Sequence, residues 1–163
     1  QELIYLDSVF DSVTRTNGES ELLLIREELM EQGYLKKVKA KSKMIKPQAP
    51  LKYISDDGNE IFVGRNNKQN DKLTLKDALK NDMWLHTQGI AGSHVIIKAN
   101  DKPFSDATIT KAAELAAFHS KGKDSDLVAV DYTLVKYVKK PAGAKPGMVI
   151  FTDYKTAYVK PKL

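Results

Sequence analysis

Apolar residues recur at spacings of three and four along the first 35 residues. Leu3, Leu6, Phe10 and Val13 fall on one stripe of a helix and make a coiled-coil-like seam. Asn17-Gly18 breaks that helix. A second runs from about residue 19 to 32, with Leu22, Ile25 and Leu29 at the same spacing, and Gly33 stops it. The pattern predicts a helical hairpin over 1–35, the end of a longer helical section or the part that packs on the next domain. Neither helix is long enough to be stable alone. The period is lost over 36–52, where seven lysines stand without an acid and Pro47 and Pro50 block regular structure. That segment is predicted to be a basic linker or arm, either a solvated tether or a direct contact for a ligand.

From Tyr53 the period changes to that of strands. Residues 53–55 and 60–63 flank the turn Asp56-Asp57-Gly58-Asn59. Thr74 is placed to cap a short helix through Lys80. Residues 83–86 and 94–98 read as strands. Ser105 or Asp106 caps a helix that ends near Gly122, and its Ala112, Ala113, Ala116 and Ala117 permit close packing on a sheet. Residues 127–137 are β-rich, and 149–152 and 156–159 frame Asp153-Tyr154-Lys155 as a final hairpin. The predicted fold is α+β: a mainly antiparallel sheet packed by one main helix over 53–163, preceded by a short helical hairpin.

Charge changes this picture. Residues 1–31 hold eight acids against two bases, a net of −6, and residues 32–163 hold 24 bases against 13 acids, a net of +11. The split suggests two parts with different partners, the basic one suited to a polyanion such as nucleic acid. Without cysteine there is no disulfide or thiolate metal site. No stretch approaches the ~20 apolar residues of a membrane span, and no signal-peptide pattern precedes Ser20. The chain opens at Gln1 in the middle of a helical pattern, so it reads as a fragment cut from something longer.

Three groups of residues could carry chemistry. Arg65, Asn66, Asn67, Lys68 and Gln69 come directly after a strand and offer many donors with a single acid nearby, Asp71. Such a loop suits phosphates, ribose hydroxyls or base edges, and equally an Asn-rich turn that caps its own backbone. Trp84 and His86 alternate onto one face of a strand, ahead of Gly92-Ser93-His94. An exposed Trp84 would be a stacking platform for an unpaired base; a lone tryptophan is more often core. Gly92 marks a close backbone approach. Lys136, Lys139, Lys140, Lys145, Lys155, Lys160 and Lys162 share a region with Tyr132, Tyr137, Tyr154 and Tyr158, and its only acid is Asp153. Lysines interleaved with aromatics fit single-stranded or looped RNA, or protect a sheet edge. His86, His94 and His119 alone make a poor metal set. Ser93 beside His94 is no nucleophile–base pair, because adjacent strand residues point apart. No metal, cofactor or catalytic residue is expected, and the chain is not read as an enzyme.

These residues also match a known pattern. Val63-Gly64-Arg65-Asn66-Asn67-Lys68-Gln69-Asn70-Asp71, Leu73-Thr74-Leu75, Asp82-Met83-Trp84-Leu85-His86-Thr87 and Gly92-Ser93-His94-Val95 closely resemble the RNA-binding domain of the NFACT family. Ala112-Ala113 through Ala116-Ala117, Val130-Asp131-Tyr132-Thr133 and Pro146-Gly147 continue the likeness, over about residues 53–160. Met83 stands where relatives often carry another apolar or aromatic residue. Residues 1–35 resemble, more weakly, the base of the family's middle coiled coil. The resemblance implies a ribosome quality-control role: binding large ribosomal subunits through ribosomal RNA, contacting alanyl-tRNA and peptidyl-tRNA, and supporting alanine tails on stalled nascent chains. Arg65, Asn66, Asn67, Lys68, Gln69, Trp84, His86, Ser93 and His94 would form the site, with Lys136, Lys139 and Lys140 on phosphates. Some streptococcal members are labelled fibronectin-binding, so a surface adhesin is the alternative, and no membrane partner is implied.

Overall fold

A computed structural model describes residues 2–16, 18–36 and 48–163. Asn17 of the predicted turn, and residues 37–47 of the predicted basic arm, lie outside the described residues.

Two helices, α1 (Glu2–Arg15) and α2 (Glu19–Glu31), form the expected hairpin. The predicted seam does not close it. Leu3 and Phe10 are 82% and 68% exposed, and Val13 and Leu22 are exposed too. Of that seam only Leu6, Ile25 and Leu29 join the contact, and on α1 it centres on Tyr5 and Val9, with Tyr34 at the edge. The physical reason lies in a second, polar face of α1. Ser8, Asp11 and Ser12 are buried: Ser8 and Ser12 donate back to helix carbonyls, Asp11 pairs with Arg15, and Ser8 also accepts from Asn67 of the sheet unit. Apolar periodicity cannot register a face that is buried by hydrogen bonds.

The sheet has six strands in the order β1-β2-β4-β3-β5-β8, all neighbours antiparallel. They are β1 (Leu51–Ile54), β2 (Glu60–Val63), β3 (Met83–Thr87), β4 (Val95–Ile97), β5 (Val128–Leu134) and β8 (Lys155–Val159). The first begins inside the segment predicted as linker, because Leu51 and Lys52 pair with Val63 and Phe62. One face of the sheet carries Ile61, Val63, Leu85, Val95, Ile97 and Val130, covered by α4 (Asp106–Phe118). Ser105 caps that helix by accepting the Thr108 amide at 3.1 Å. Ala112, Ala113, Ala116 and Ala117 are fully buried, so the small-residue face does bring helix and sheet close.

The opposite face has its own apolar cover: Trp84, Ile96, Leu73 and Val138, with Phe62, Val149 and Phe151 against them. The cover comes from α3 (Asn67–Lys72), the π-helical turn Leu73–Asp77, and a two-stranded sheet of β6 (Val138–Lys139) and β7 (Ile150–Phe151). Two expectations are corrected here. The helix predicted to start at Thr74 starts at Asn67, where Asn66 accepts the Gln69 amide; Thr74 is buried inside the continuing turn. The predicted hairpin over 149–159 does not exist. Its first arm pairs with β6 and its second with β5. Asp153, at φ 55°, turns the chain from one sheet to the other.

Candidate nucleic-acid interface

Strand register creates the site. His86 pairs with Asp131, which pairs with Thr156. The His94 ring lies 5.6 Å from that of His86. A polar row therefore runs from His94, just ahead of β4, across β3, β5 and β8 on the face opposite α4. Above it on the same face sits Trp84, its ring stacked parallel to His86 at 5.9 Å and 6°, edge-on to His94 at 5.5 Å and tilted against Phe151 at 4.7 Å.

The members of this row have different tasks. His94 is 1% exposed. Its Nε2 lies 3.0 Å from the Gly147 carbonyl and its Nδ1 2.8 Å from the Thr74 hydroxyl. A carbonyl can only accept, so Nε2 carries the proton and Nδ1 accepts from Thr74. Burial, seconded by neighbouring His86 and Lys140, pushes its pKa down to about 3. His94 is thus a neutral clip between three segments. His86 is half-buried, and desolvation lowers its pKa despite main-chain bonds to Thr87 and Gly92 and the Asp131 charge. Asp131 accepts Gln88 Nε2 at 3.0 Å and Thr156 Oγ1 at 2.7 Å on one oxygen, Oδ1. A cleft of about 280 Å³ opens over His86, between the 87–92 loop, residues 147–149 and α1.

Trp84 is not an exposed stacking platform. It is 1% exposed and belongs to the core of this face. Among the described residues its Nε1 is the one buried side-chain nitrogen or oxygen without a hydrogen-bond partner, at ~1–3 kcal/mol for an unmet buried donor. Ser93 is also buried, its hydroxyl accepting from Arg15 at 3.2 Å. Gly92 behaves as expected: a Cβ there would come within 2.8 Å of Thr87 Oγ1 and 2.9 Å of Ser120 Cβ.

The 64–71 cluster serves the fold. Asn66 caps α3, and Gln69 accepts the Arg65 amide at 2.7 Å while donating to the Gln48 carbonyl. Asn67 is buried and donates to Ser8 Oγ at 3.1 Å and Glu28 Oε1 at 3.3 Å. Arg65 pairs with Glu21 at 3.0 Å and Lys68 with Glu31 at 2.5 Å. Lys121 pairs with Asp7 at 2.8 Å. The acidic hairpin therefore packs on the basic unit through these contacts, where the charge split had suggested separate partners. Glu28, 2% exposed, accepts the Tyr5 hydroxyl at 2.5 Å, and burial raises its pKa. Arg65 does not join Trp84 and His86. It lines a separate recess of about 710 Å³ with Arg15, Lys121, Lys123 and His119. Burial, seconded by Arg15, Lys123 and Arg65, pushes His119 down to about 4.

Of the three predicted lysines, Lys136 and Lys139 are exposed. Lys140 is turned inward, holding Asp71 at 3.0 Å and the carbonyls of Lys145 and Met148. The exposed aromatics on this side are Tyr154 and Tyr158, at 50% and 67%. Tyr158 stands two residues beyond Thr156 on the row's face of β8, and Tyr154 packs edge-on to Phe151 at 5.1 Å. Lys155 and Lys160 are exposed beside them. The individual roles of Gln88, Asp131 and Thr156 escaped sequence reading. Their signal was the alternation along 128–134, which places Asp131 on a face but not beside His86.

An antiparallel sheet with a helix on one face, and a polar aromatic row, a cleft and exposed Tyr and Lys side chains on the other, defines a class of binding module. Residues 50–153 match the family model described as the NFACT protein RNA binding domain. The chain belongs to the NFACT family, as an NFACT protein RNA binding domain. It is similar to proteins named Rqc2 homolog RqcH: 45% identical over 160 residues to that of Streptococcus pneumoniae strain D39, and 42% over 164 residues to that of Bacillus subtilis. Those alignments cover 98% and 99% of this chain and 28% of each relative. The chain thus spans under a third of the length of the curated relatives it matches. A solved structure, the C-terminal of the fibronectin/fibrinogen-binding protein from Streptococcus suis, superposes with a TM-score of 0.90 at 45% identity, over 99% of this chain and 64% of that one.

Proposed function

We propose that this chain is the RNA-gripping module of a cytoplasmic ribosome quality-control factor. In this reading it holds ribosomal RNA of a large subunit that carries peptidyl-tRNA, contacts tRNA, and so supports alanine tailing without catalysing any step itself. One observation carries the reading beyond family membership: exposed Tyr154 and Tyr158 stand at either end of β8, with Tyr158 and the following exposed Lys160 in register with Thr156 on the face of the sheet that holds the cleft. Aromatic faces take unpaired bases while lysines hold phosphates. Tyr154 and Tyr158 take the stacking part that buried Trp84 cannot.

Titration of labelled tRNA and ribosomal RNA fragments at several salt concentrations tests it. Affinity should fall with salt, and Tyr154→Ala with Tyr158→Ala should weaken binding ~10-fold or more, at ~1–3 kcal/mol per stacked base. Salt-independent binding, or an unaffected double variant, refutes it. The fibronectin-binding name of the Streptococcus suis relative supports a second reading, a matrix-protein contact. Immobilised fibronectin that retains the chain at physiological salt would favour it; retention that vanishes with modest added salt would be a charge effect.

A further inference from the structure

We propose that the cleft over His86 holds one unpaired nucleobase bearing an exocyclic amino group, with Asp131 and Gln88 reading that edge. The proposal rests on the RNA-binding reading above and names what this part of the surface takes.

The lining excludes a phosphate. No lysine or arginine lines the cleft, whereas Asp7 and Asp131 do. His86 and His94 are both held uncharged by burial. Asp7 is already paired with Lys121 at 2.8 Å, so an anion entering here would meet the Asp131 carboxylate and no lysine or arginine of the lining to hold it. A flat, uncharged ring meets a different surface. The Trp84–His86 stack is parallel within 6°, and half-buried His86 continues that flat surface into the cleft. The volume, about 280 Å³, lies at the small end of ligand sites of roughly 300–1,000 Å³. It suits one ring and not a paired helix edge.

The wall opposite is main chain. Gly92 is drawn so tightly against Thr87 and Ser120 that no side chain fits, and Gly89 takes φ +69°. The loop therefore brings peptide groups, not side-chain bulk, to the cleft. At its polar end Asp131 uses Oδ1 for Gln88 and Thr156; Oδ2 takes no bond from the described residues and is available to a donor. A carboxylate only accepts. Adenine, cytosine and guanine can offer it an amino N–H. Uracil offers one imino N–H flanked by two carbonyl oxygens, which a carboxylate repels. Gln88 is exposed and its carbonyl adds a second acceptor.

The test uses the whole chain and three probes: short oligocytidylate, oligoadenylate and oligouridylate. Binding is followed by anisotropy of labelled RNA and by side-chain NMR of the three histidines. The expected result is roughly 10-fold tighter binding of the C and A oligomers than of U, the discrimination typical of one good base contact. His86 resonances should shift, with those of His119, in the other recess, unmoved. Gln88→Ala alters an exposed side chain and should reduce the preference; Asp131→Asn should abolish it while leaving the salt dependence intact. Equal binding of all three oligomers, or saturation with RNA that leaves His86 unmoved, overturns the cleft assignment while the RNA-binding reading stands. Failure of every oligomer, tRNA and ribosomal RNA to bind at low salt brings down both.

Discussion

Replacing Asn67 by alanine should loosen the helical hairpin from the sheet unit. Asn67 is 4% exposed and its amide spans both helices, donating to Ser8 on α1 and to Glu28 on α2. A bond to a buried carboxylate contributes ~1.5–3 kcal/mol and one to a hydroxyl ~0.5–1.5, so the loss should be ~2–4 kcal/mol. The half-exposed ion pairs across the same boundary contribute less. Lys68–Glu31 and Lys121–Asp7 are each about half exposed, and such pairs give ~0–1 kcal/mol. Urea unfolding followed by two probes reads the effect. The hairpin supplies more than half of the described α-helical residues, so far-UV circular dichroism reports mainly on it. The single tryptophan, Trp84, reports on the sheet. The parent chain should give coincident transitions. In Asn67→Ala the helical signal should melt first, and the Ser8→Ala double-mutant cycle should show ~0.5 kcal/mol or more of coupling. Coincident transitions shifted by under ~0.5 kcal/mol would refute the view that buried hydrogen bonds, not surface charge, hold the hairpin.

The same geometry sets other outcomes. All three histidines have folded pKa values below the ordinary ~6.5, with His94 near 3 and His119 near 4. The unfolded chain takes up those protons first, so their stability term is full above pH ~6.5 and is lost as pH falls towards 3; a urea midpoint that stays flat from pH 6.5 to 5 would contradict this. Glu28 runs the other way. Its raised folded pKa gives stability present at low pH and lost as pH rises through that pKa, so Glu28→Gln should equal or exceed the parent at pH 8 and match it near pH 4. A greater deficit at pH 8 than at pH 4 would show that the carboxylate is stabilising. Gly92→Ala should lower stability by ~1–3 kcal/mol, because its methyl collides with Thr87 and Ser120; an unchanged thermal midpoint would refute the tight approach.

Much of the secondary structure was legible in the sequence. The Ser105 cap, the alanine face of α4 and the alternation that puts Trp84 and His86 together are local patterns, and the structure keeps them. The site was legible only as a set of residues. Arg65, Asn66, Asn67, Lys68 and Gln69 looked like donors awaiting a ligand, and their acceptors lay in α1 and α2, at Gln48 and Ala49, and within the loop itself. A donor-rich loop reads the same whether its partner is a phosphate or a glutamate 37 to 44 residues away. The lysines and tyrosines of 136–162 carried the opposite ambiguity, and several of them are exposed.

The sequence by itself determined most of the helices and strands, the apolar faces of the central strands and of α4, and the family pattern that the comparison then matched. Only tertiary structure decided that the acidic hairpin is clamped to the basic unit, that Trp84 is interior, and that residues 149–159 feed two sheets. The reason is physical. Periodicity records the direction in which a side chain points along its own element, whereas burial and hydrogen bonding depend on which distant segment arrives opposite. Ser8 meets Asn67 across 59 positions, His94 meets Gly147 across 53 and His86 meets Asp131 across 45; no local pattern encodes those encounters.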